Sequence, residues 1–506
     1  MTKTAGRFFC LATTEPADAL AGQLGKLELA RTAVQDPVPF EVLDTFDGAV
    51  RGMGGVLLRQ RSVLRVLLDG PSVLEQAEDS DAIFVTDMDD GPVCAALDGV
   101  SALRSLRPVA DGKATHQSWA AMDRERKTQV RLDILVLEPA GQGAGMLLVV
   151  AQGLRGYGKA LKRVCSALEN QPQVADAQAL LCPEFTPHSA KPFVPLAPTD
   201  TAFHAACDLI KAHIPVAQAT EPGILADYNS EYLHDYRVAL RKIRSVLSLF
   251  HGVFSDQRSA ELKARFSALM EPTGRLRDLD VYVLEKDLYF DMLPDSLHPG
   301  LLAMFDVFQI ERAKELARLS RHLRSAAYHR EIDELGALFI QPDRLQRGPM
   351  AMQPGIDYAR RLIWKRYRKV CKIARAIDAS TEDEEVHDLR IHCKKLRYLM
   401  EFFAPCFPRK DIKALIKALK RLQDNLGLFN DYSVQQDSLR DFLDTHGRMR
   451  RDRFTAIAQT IGALIAILHQ RQTDERDKVV ENFGRFDSKD MQDMFRRLFK
   501  AQGGHA

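Results

Sequence analysis

Residues 386–403, VHDLRIHCKKLRYLMEFF, combine the apolar spacing of a packed helix with many cationic side chains. Residues 233–250, LHDYRVALRKIRSVLSLF, align with this stretch without gaps at an offset of 153 positions. The same offset relates two further pairs of stretches: GRLRDLDVYV (274–283) with GLFNDYSVQQ (427–436), and DLIK (208–211) with RLIW (361–364). Each unit is far longer than a solenoid repeat. We therefore predict two similar helical bundles, related by a pseudo-twofold axis.

On a helical wheel, each copy of the repeated stretch separates into a cationic face and an apolar face. In the first copy, the cationic sector holds His234, Arg237, Arg241 and Arg244. In the second copy, the corresponding sector holds His387, Arg390, Lys394 and Arg397. Like charges at these helical spacings repel each other and destabilise an isolated helix. The repulsion within this repeated cationic sector therefore has to be offset by a partner, or the sector is kept for a function.

Two ordinary explanations compete with ligand binding. A charged helix face is often simply solvated, and each histidine could be a core or capping residue. A solvated face normally mixes Glu with Lys, whereas residues 233–250 contain one acid, Asp235, outside the cationic sector. Because the unpaired sector occurs twice, we favour the interpretation that it binds an anion.

Two other predicted helices carry cations at three- and four-residue steps. These cations are Lys365, Arg368 and Lys372 in one helix, and Lys417 and Lys420 in the other. A bundle that folds all these faces toward one groove would concentrate a positive potential there. Cations about 5 Å apart along a helix suit a linear polymer of closely spaced negative charges. Lys and Arg side chains are well suited to bind phosphate oxygens.

The chain as a whole is too long for a single hydrophobic core, with 506 residues. Residues 1–182 consist of short apolar runs between Gly, Asp and Pro, which predicts an antiparallel β-rich domain. Residues 183–199 contain five prolines and read as a linker. Residues 200–500 show helical periodicity, with repeat 1 at about 200–345 and repeat 2 at about 353–500. The expected fold class is α+β and multidomain, with an all-α second half.

The distribution of charge indicates which half would bind a polyanion, and the cysteines indicate the cellular compartment. Residues 1–199 carry a net charge of −4 and residues 200–506 a net charge of +6, so a polyanion would bind the second half. The eight cysteines are scattered without a CxxC pair, which indicates reduced thiols in a cytosol. The sequence begins without the apolar run of a signal peptide and lacks a long apolar stretch. We expect a cytoplasmic protein that does not bind a membrane.

Residues 200–500 resemble the CHAD domain family, the conserved histidine α-helical domains. The similarity lies in the H-x-x-R-x-x-x-[RK]-K-x-R helix, present twice and followed each time by a G-x-x-[RN]-D turn 40 residues on. The resemblance implies a pair of four-helix bundles with a basic groove that binds inorganic polyphosphate. It also implies a location at polyphosphate granules, with granule-associated proteins as further partners. The eight residues of the two cationic sectors would contact the ligand, and Asp278 and Asp431 would have a structural capping role.

Residues 40–61, FEVLDTFDGAVRGMGGVLLRQR, resemble the CYTH family, whose fold is a β-tunnel of the triphosphate tunnel metalloenzymes. GLRGYGKALKRVCSALEN and HSAKPF resemble the closing helix and exit segment of that family. The strands that would supply metal-binding carboxylates read GRFFCLAT and MLLVVAQG and contain no acid. Arg59 and Arg61 are kept as cations that could contact phosphate. We therefore expect no metal site, no cofactor and no catalytic residue in this domain.

The leading hypothesis is a non-enzymatic polyphosphate-binding protein whose binding residues are the eight signature residues and the five further cations. The first alternative is a metal-dependent triphosphatase or polyphosphate-processing enzyme that uses the residual tunnel residues. The second alternative is a nucleic-acid-binding module. Aromatic residues for base stacking are sparse on the basic sectors, where Trp364, Tyr367 and Tyr398 are the candidates, and this argues against nucleic acid.

Overall fold

The fold is described here from a computed structural model, which covers residues 7–15, 20, 22–68, 73–78, 83–378, 381–447 and 450–500. The chain divides into two compact units, Met1–Ser189 and Ala190–Ala506. The first unit contains an antiparallel sheet and the second is helical, so the predicted α+β multidomain fold class is confirmed. The division falls inside the proline-rich stretch 183–199.

The first unit is built on one antiparallel sheet that curls into a half-barrel. Its described strands are β1 (Arg7–Leu11), β2 (Glu28–Val34), β3 (Val38–Thr45), β4 (Val56–Gln60), β5 (Val63–Leu67), β6 (Val73–Ala77), β7 (Leu106–Met122), β8 (Thr128–Pro139) and β9 (Met146–Gly153). The strand order is β1-β9-β8-β7-β3-β4-β5-β6, and β2 pairs with β7. The helices are α1 (Ala49–Gly52), α2 (Pro92–Ala96), α3 (Gly158–Glu169) and α4 (Ala177–Leu181), with a 3₁₀ turn at Val85–Asp87.

Side chains along a strand point alternately to the two faces of the sheet, so every second residue can enter its apolar core. Strand β8 buries Val130, Leu132 and Ile134 on one face, where Val164 and Leu168 of α3 join the same apolar cluster. The sheet therefore needs α3 to cover this face.

Asp44, in the DTFDG stretch that resembles the CYTH family, is fully buried and has a structural role. Its carboxylate accepts hydrogen bonds from the Val50 amide at 2.9 Å and from the Gln178 side-chain amide at 2.8 Å. These two bonds tie α1 and the α4 segment to the end of β3.

The second unit consists of helices with short connections. Its described helices are α5 (Ala202–Leu225), α6 (Ser230–Leu249), α7 (Asp256–Met270), α8 (Gly274–Leu284), α9 (Lys286–Asp291), α10 (His298–Leu323), α11 (Ala326–Ile340), α12 (Gly355–Ala374), α13 (Asp383–Phe402), α14 (Arg409–His446), α15 (Arg451–Asp477), α16 (Val479–Phe486) and α17 (Lys489–Phe499). Further 3₁₀ turns lie at Glu271–Thr273, Asp295–Leu297, Pro342–Arg344 and Ala404–Cys406. Within the described ranges, each helix is too short or too polar to cross a lipid bilayer.

The internal repeat is visible in the helix boundaries. Five helices of the first repeat begin at residues 202, 230, 256, 298 and 326. Five helices of the second repeat begin 153 positions later, at residues 355, 383, 409, 451 and 479. The offset found in the signature stretches therefore extends over the whole helical unit.

Contacts between equivalent residues show that the two repeats are related by a pseudo-twofold axis. The Ala202 amide donates to the Gln353 carbonyl at 2.9 Å, and the Gly355 amide donates reciprocally to the Asp200 carbonyl at 2.6 Å. At the end of the signature helices, the rings of Phe250 and Phe403 stack with centroids 5.0 Å apart and planes 11° apart. The two hydrogen bonds are equivalent to each other and the two stacked rings are counterparts, as in an isologous interface.

The repeats also share an apolar core. Leu279 and Phe305 of the first repeat belong to the same buried cluster as Leu439 and Leu464 of the second. Helices α8, α9 and α10 thus pack with the second half of α14 and with α15. The two repeats are therefore joined in two places, by the stacked Phe250 and Phe403 rings and by this shared core.

One helix differs between the repeats because of a proline. The first repeat has α7, a 3₁₀ turn at Glu271–Thr273 and α8, whereas the second repeat has one continuous helix, α14. Pro272 lacks an amide hydrogen and its ring clashes with the preceding turn, which interrupts an α-helix. The interruption places Thr273 beside the cationic face of α6.

Candidate anion-binding site

The signature helices have the two faces that the sequence predicts. In α6, Tyr236, Leu240 and Ile243 are fully buried, whereas Arg237 and Arg241 are half-buried. In α13 the apolar positions are buried in the same way, and Arg390, Lys394 and Arg397 are half-buried. Helix α6 begins at the N-cap Asn229, whose side chain accepts a hydrogen bond from the Glu231 amide at 3.0 Å.

The two signature helices form the walls of a cleft of about 1030 Å³, here called the central cleft. Four of the predicted signature residues line it together: His234, Arg241, Lys394 and Arg397. Further cations on its described lining are Lys191, Lys242, Arg409 and Lys413. The described carboxylates on the lining are Asp235 and Glu401. The cleft therefore has a large excess of positive charge.

Lys394 shows how strongly the cations in this region act on one another. Burial, followed by the positive charges of Arg390 and Arg241, lowers the pKa of the Lys394 ammonium from 10.5 to about 8. Asp431 opposes this shift with a smaller effect. Arg241 is the pseudo-symmetry counterpart of Lys394, so the repulsion acts between equivalent positions of the two repeats.

Several guanidinium nitrogens in this region have no hydrogen-bond partner. They are the buried Nε atoms of Arg390 and Arg397 and the buried Nη1 atom of Arg277, each without an acceptor among the described residues. Buried polar groups in proteins are normally paired, and an unpaired buried donor is costly. Donors left free in this way are suited to an anionic ligand.

Arg237 and Arg390 are equivalent residues with different partners. Arg237 Nη1 donates to the Thr273 hydroxyl at 2.5 Å. Arg390 Nη2 lies 3.5 Å from an Asp431 carboxylate oxygen, and its Nε has no described acceptor. In both arginines, burial is the main cause of a lowered pKa, and the nearby aspartate opposes it.

The capping role predicted for Asp278 and Asp431 is wrong. Asp278 lies inside α8 and Asp431 lies in the interior of the long helix α14, so neither precedes a helix N-terminus. Asp431 instead pairs with Arg390, and the charge of Arg237 lowers the pKa of Asp278 against a larger raising effect of burial. The G-x-x-[RN]-D motif is therefore helical, and its acids partially neutralise the signature arginines.

The two signature histidines lie in different surroundings. His234 is half-buried on the central cleft lining. His387 is exposed, and its Nδ1 lies 2.6 Å from the Asn430 side-chain oxygen, so this nitrogen carries a proton and donates. His387, Arg237, Arg244 and Arg390 are not among the residues that line the central cleft.

The other five predicted cations do not join the central cleft. Lys365, Arg368 and Lys372 line a second cleft of about 1300 Å³ between α12 and α17. Lys417 and Lys420 are exposed on α14 and line neither cleft. The expectation that all these faces turn toward one groove therefore needs correction, because α12 packs on α13 through its apolar face and turns its cations outward.

Sequence reasoning missed part of the central cleft wall. Residues 190–194, AKPFV, line it, and this segment includes the highly exposed Phe193. Lys242 also lines the cleft, where its ammonium pairs with Glu401 and lies 4.5 Å from the Tyr398 ring centroid. The K that follows the [RK] position in the signature motif pointed to Lys242, whereas segment 190–194 carried only the signals of a linker and of a CYTH-like exit segment.

In the first unit, strands β1 and β9 form as expected and contain no acidic residue. Arg59 lies 2.7 Å from the Glu41 carboxylate, and Arg61 occupies the β4–β5 turn with a positive φ of 52°. Among the described residues, His, Cys, Asp and Glu side chains do not gather into a group of three that could hold a metal ion. The resemblance of this unit to the CYTH family stays a prediction.

Comparisons with known proteins identify the helical unit. The CHAD domain family model matches residues 208–440. Uncharacterized protein Rv2226 of Mycobacterium tuberculosis is 29% identical over 172 residues, which is 33% of this chain and 33% of that protein. A second uncharacterized Mycobacterium tuberculosis protein, MT2285, matches with the same identity and coverage. The chain thus aligns with about a third of the length of these curated relatives.

Two solved structures are also similar. The CHAD domain from the plant Ricinus communis is 21% identical with a TM-score of 0.48, covering 58% of this chain and 94% of that chain. PptA from Streptomyces chartreusis is 14% identical with a TM-score of 0.44, covering 56% of this chain and 99% of that chain. From the match to the family model, residues 208–440 of this chain form a CHAD domain.

Proposed function

We propose that this protein binds inorganic polyphosphate in the central cleft and does not hydrolyse it. One observation carries the proposal: Arg241 and Lys394, equivalent residues of the two repeats, meet in one cleft beside Arg397, whose buried Nε has no described acceptor. A pseudo-symmetric cluster of cations that outnumber the nearby carboxylates is suited to a ligand with many equivalent negative charges. A condensed phosphate chain has this character.

The energetics of the free cleft support a polyanion. Burial, and after it the repulsion of Arg390 and Arg241, holds the pKa of Lys394 at about 8, so the charged cluster is under electrostatic stress without a ligand. Phosphate oxygens would relieve this stress, and guanidinium groups can bind them through two parallel hydrogen bonds. The family assignment of residues 208–440 supports the same conclusion, since the CHAD resemblance implies polyphosphate binding.

The carboxylates of the central cleft support binding rather than hydrolysis. Glu401 pairs with the Lys242 ammonium and also accepts from Arg397 Nη1 at 3.3 Å. Both oxygens of this carboxylate are engaged by cations, so it is poorly placed to take a proton from an attacking water. We therefore propose no catalytic residue here.

The first experiment compares ligands at one fixed salt concentration, because all polyanion binding depends on salt. Long-chain polyphosphate is titrated against the full chain by calorimetry, and a single-stranded oligonucleotide with the same number of phosphates serves as the competitor. We expect polyphosphate to bind more tightly. Equal or tighter binding of the oligonucleotide would refute the proposal in favour of a nucleic-acid module.

A second experiment tests for turnover. The protein is incubated with tripolyphosphate and Mg²⁺ or Mn²⁺, and released phosphate is measured against a sample without protein. We expect no release above this background. Sustained release that depends on the metal would replace the binding proposal with the triphosphatase alternative.

The proposed location follows from the proposed ligand. A polyphosphate-binding protein would concentrate at polyphosphate granules in the cytoplasm, where granule-associated proteins would be its further partners. A fluorescent fusion should co-localise with stained granules. The Arg241→Gln/Lys394→Gln double variant should show a diffuse signal, and a granular signal in that variant would locate the targeting outside the central cleft.

A further inference from the structure

The cleft between α12 and α17, here called the α12–α17 cleft, has a well-packed floor. The Tyr367 ring of α12 stacks on the Phe495 ring of α17, with centroids 3.9 Å apart and planes 9° apart. Arg360 Nε donates to the Leu498 carbonyl at 3.3 Å and adds a polar tie between the same helices. The walls of the cleft are therefore held by regular helices with a packed interface.

Ten basic residues and one acid, Asp357, stand on the described lining of this cleft. Several of these cations are neutralised by acids. Arg375 donates to the Asp487 carboxylate at 2.6 Å, Arg496 to Asp493 at 2.8 Å and Arg497 to Asp411 at 2.7 Å. These three arginines therefore have acid partners in the fold.

The cations along the middle of the cleft are different. Lys365, Arg368, Lys369 and Lys372 are exposed on one face of α12, and within the described ranges none of them forms an ion pair. Their spacing of three, four and seven residues makes them neighbours on the helix surface. The row extends over about 10 Å, given the 1.5 Å rise per residue of an α-helix. Four unpaired like charges in a row destabilise the free helix.

The other repeat shows that the fold does not need this row. The equivalent positions in α5 are Ala212, Pro215, Val216 and Ala219, all uncharged. Since α5 and α12 begin at equivalent residues and have the same place in their repeats, packing alone does not explain the cations of α12. The row is specific to the second repeat.

We propose that the α12–α17 cleft is a second binding surface for condensed phosphate, separate from the central cleft. Among the described lining residues, none is common to the two clefts. The inference rests on the proposed function, because it assigns the same ligand class to a new surface. One molecule would then hold two segments of a long chain, or two chains, and binding of a long chain would gain from the high effective concentration of its second segment.

Charge and the few accessible aromatic rings favour condensed phosphate over single-stranded nucleic acid. On the described lining, Tyr367 is buried against Phe495 and Phe499 is buried, so Trp364 is the aromatic side chain with an accessible surface. Nucleic-acid grooves normally present several rings on which successive bases stack. A row of cations with one ring suits a ligand that consists of charge alone.

The test counts binding sites with a short polyphosphate that cannot reach both clefts. The variant carries Lys365→Gln, Arg368→Gln, Lys369→Gln and Lys372→Gln. The control removes the same charge from exposed residues outside both clefts, with Lys314→Gln, Arg318→Gln, Arg321→Gln and Arg330→Gln. Calorimetry should give a stoichiometry of two for the natural protein and the control, and of one for the variant. For long chains, the variant should lose affinity by on the order of 10²-fold.

The outcomes separate the two proposals. A stoichiometry of one in the natural protein, unchanged in the variant, would overturn the second surface and leave the central cleft as the binding site. Absence of polyphosphate binding in the natural protein would refute the proposed function itself. If the variant keeps its polyphosphate stoichiometry and loses only oligonucleotide binding, the α12–α17 cleft is a nucleic-acid surface and the proposal is overturned.

A second variant separates loss of charge from loss of fold. Lys365→Arg, Lys369→Arg and Lys372→Arg together keep the positive charges of the row. This variant should retain a stoichiometry of two. Retention of two sites in both the Arg and the Gln variants would contradict a role for the row, and the circular dichroism of both should match that of the natural protein.

Discussion

The two repeats carry the same cationic face on the equivalent helices α6 and α13, whereas the equivalent helices α5 and α12 differ in their charged residues. The signature helices repeat their cationic sector position by position, and Arg241 and Lys394 bring it to one central cleft near the pseudo-twofold axis. Helix α12 adds an unpaired cationic row that α5 lacks. The comparison teaches that cations kept in both copies can meet in one shared cleft, whereas the row found only on α12 lies on a separate cleft.

A smaller difference lies beside the shared site. Pro272 interrupts the first repeat and places the Thr273 hydroxyl against Arg237. At the equivalent position the second repeat has Leu426, inside the continuous helix α14, and Arg390 keeps an unpaired Nε. The second repeat is therefore the more open to an anion, both at Arg390 and at α12.

The largest effect is expected from removal of the shared cations. The variant with Arg241→Gln, Lys394→Gln and Arg397→Gln should bind polyphosphate on the order of 10³-fold more weakly, since each charged hydrogen bond contributes about 1.5 kcal/mol or more. The measurement is a titration with short polyphosphate at fixed salt. The matched control removes Lys314, Arg321 and Arg330 in the same way and should bind normally. Unchanged affinity in the cleft variant would show that polyphosphate does not bind in the central cleft.

The next largest effect is expected from the stacked rings of Phe250 and Phe403, which join the two repeats. Phe250→Ala should lower the free energy of unfolding by about 3 kcal/mol or more, because a buried aromatic side chain is lost and a cavity remains. Phe403→Ala should do the same, and the double variant should lose less than the sum, since the two rings contact each other. Chemical denaturation followed by circular dichroism measures all three. Additive losses would show that the stacked pair does not couple the repeats.

The third effect is a dependence of polyphosphate affinity on pH, of up to about tenfold per pH unit, which is expected from Lys394. Because its pKa is lowered to about 8 in the free protein, its ammonium is charged below pH 8 and neutral above it. A bound polyanion favours the charged form, so affinity should be nearly constant below pH 7 and fall above pH 8, by up to about tenfold per pH unit. Titrations at pH 7, 8 and 9 measure this fall.

The Lys394→Arg variant is the control for this pH effect, since a guanidinium stays protonated in this range. Its affinity should be independent of pH between 7 and 9. Proton uptake on binding at pH 8, measured in two buffers of different ionisation enthalpy, should also disappear in the variant. An unchanged pH profile would assign the titration to another group.

The smallest effect is expected from Thr273→Val, which removes the hydroxyl that accepts from Arg237. The variant should unfold more easily by about 1–2 kcal/mol, because a half-buried guanidinium donor loses its partner. Polyphosphate affinity should stay the same or rise slightly, since Arg237 would then have a donor without an acceptor, as Arg390 has at its Nε. A clear loss of affinity would mean that Thr273 itself positions the ligand.

Much of the helical unit could be predicted from its sequence. The period of apolar residues such as Leu240 and Leu396 identified the packed faces, and the offset of 153 positions, found in three pairs of stretches, also relates five pairs of helix starts. The roles of Asp278 and Asp431 could not be predicted in this way. The sequence shows that each acid follows a Gly by four positions, and only the fold shows that both lie within helices beside an arginine.

The sequence by itself determined which side chains share a helix face, because the α-helix has a fixed period of 3.6 residues. It therefore identified both cationic sectors and the row on α12. Only the tertiary structure decided which faces meet, since the direction of each face depends on the neighbour that covers its apolar side. Helices α6 and α13 turn their cations into one cleft, whereas α12, packed on α13, turns Lys365, Arg368 and Lys372 toward α17.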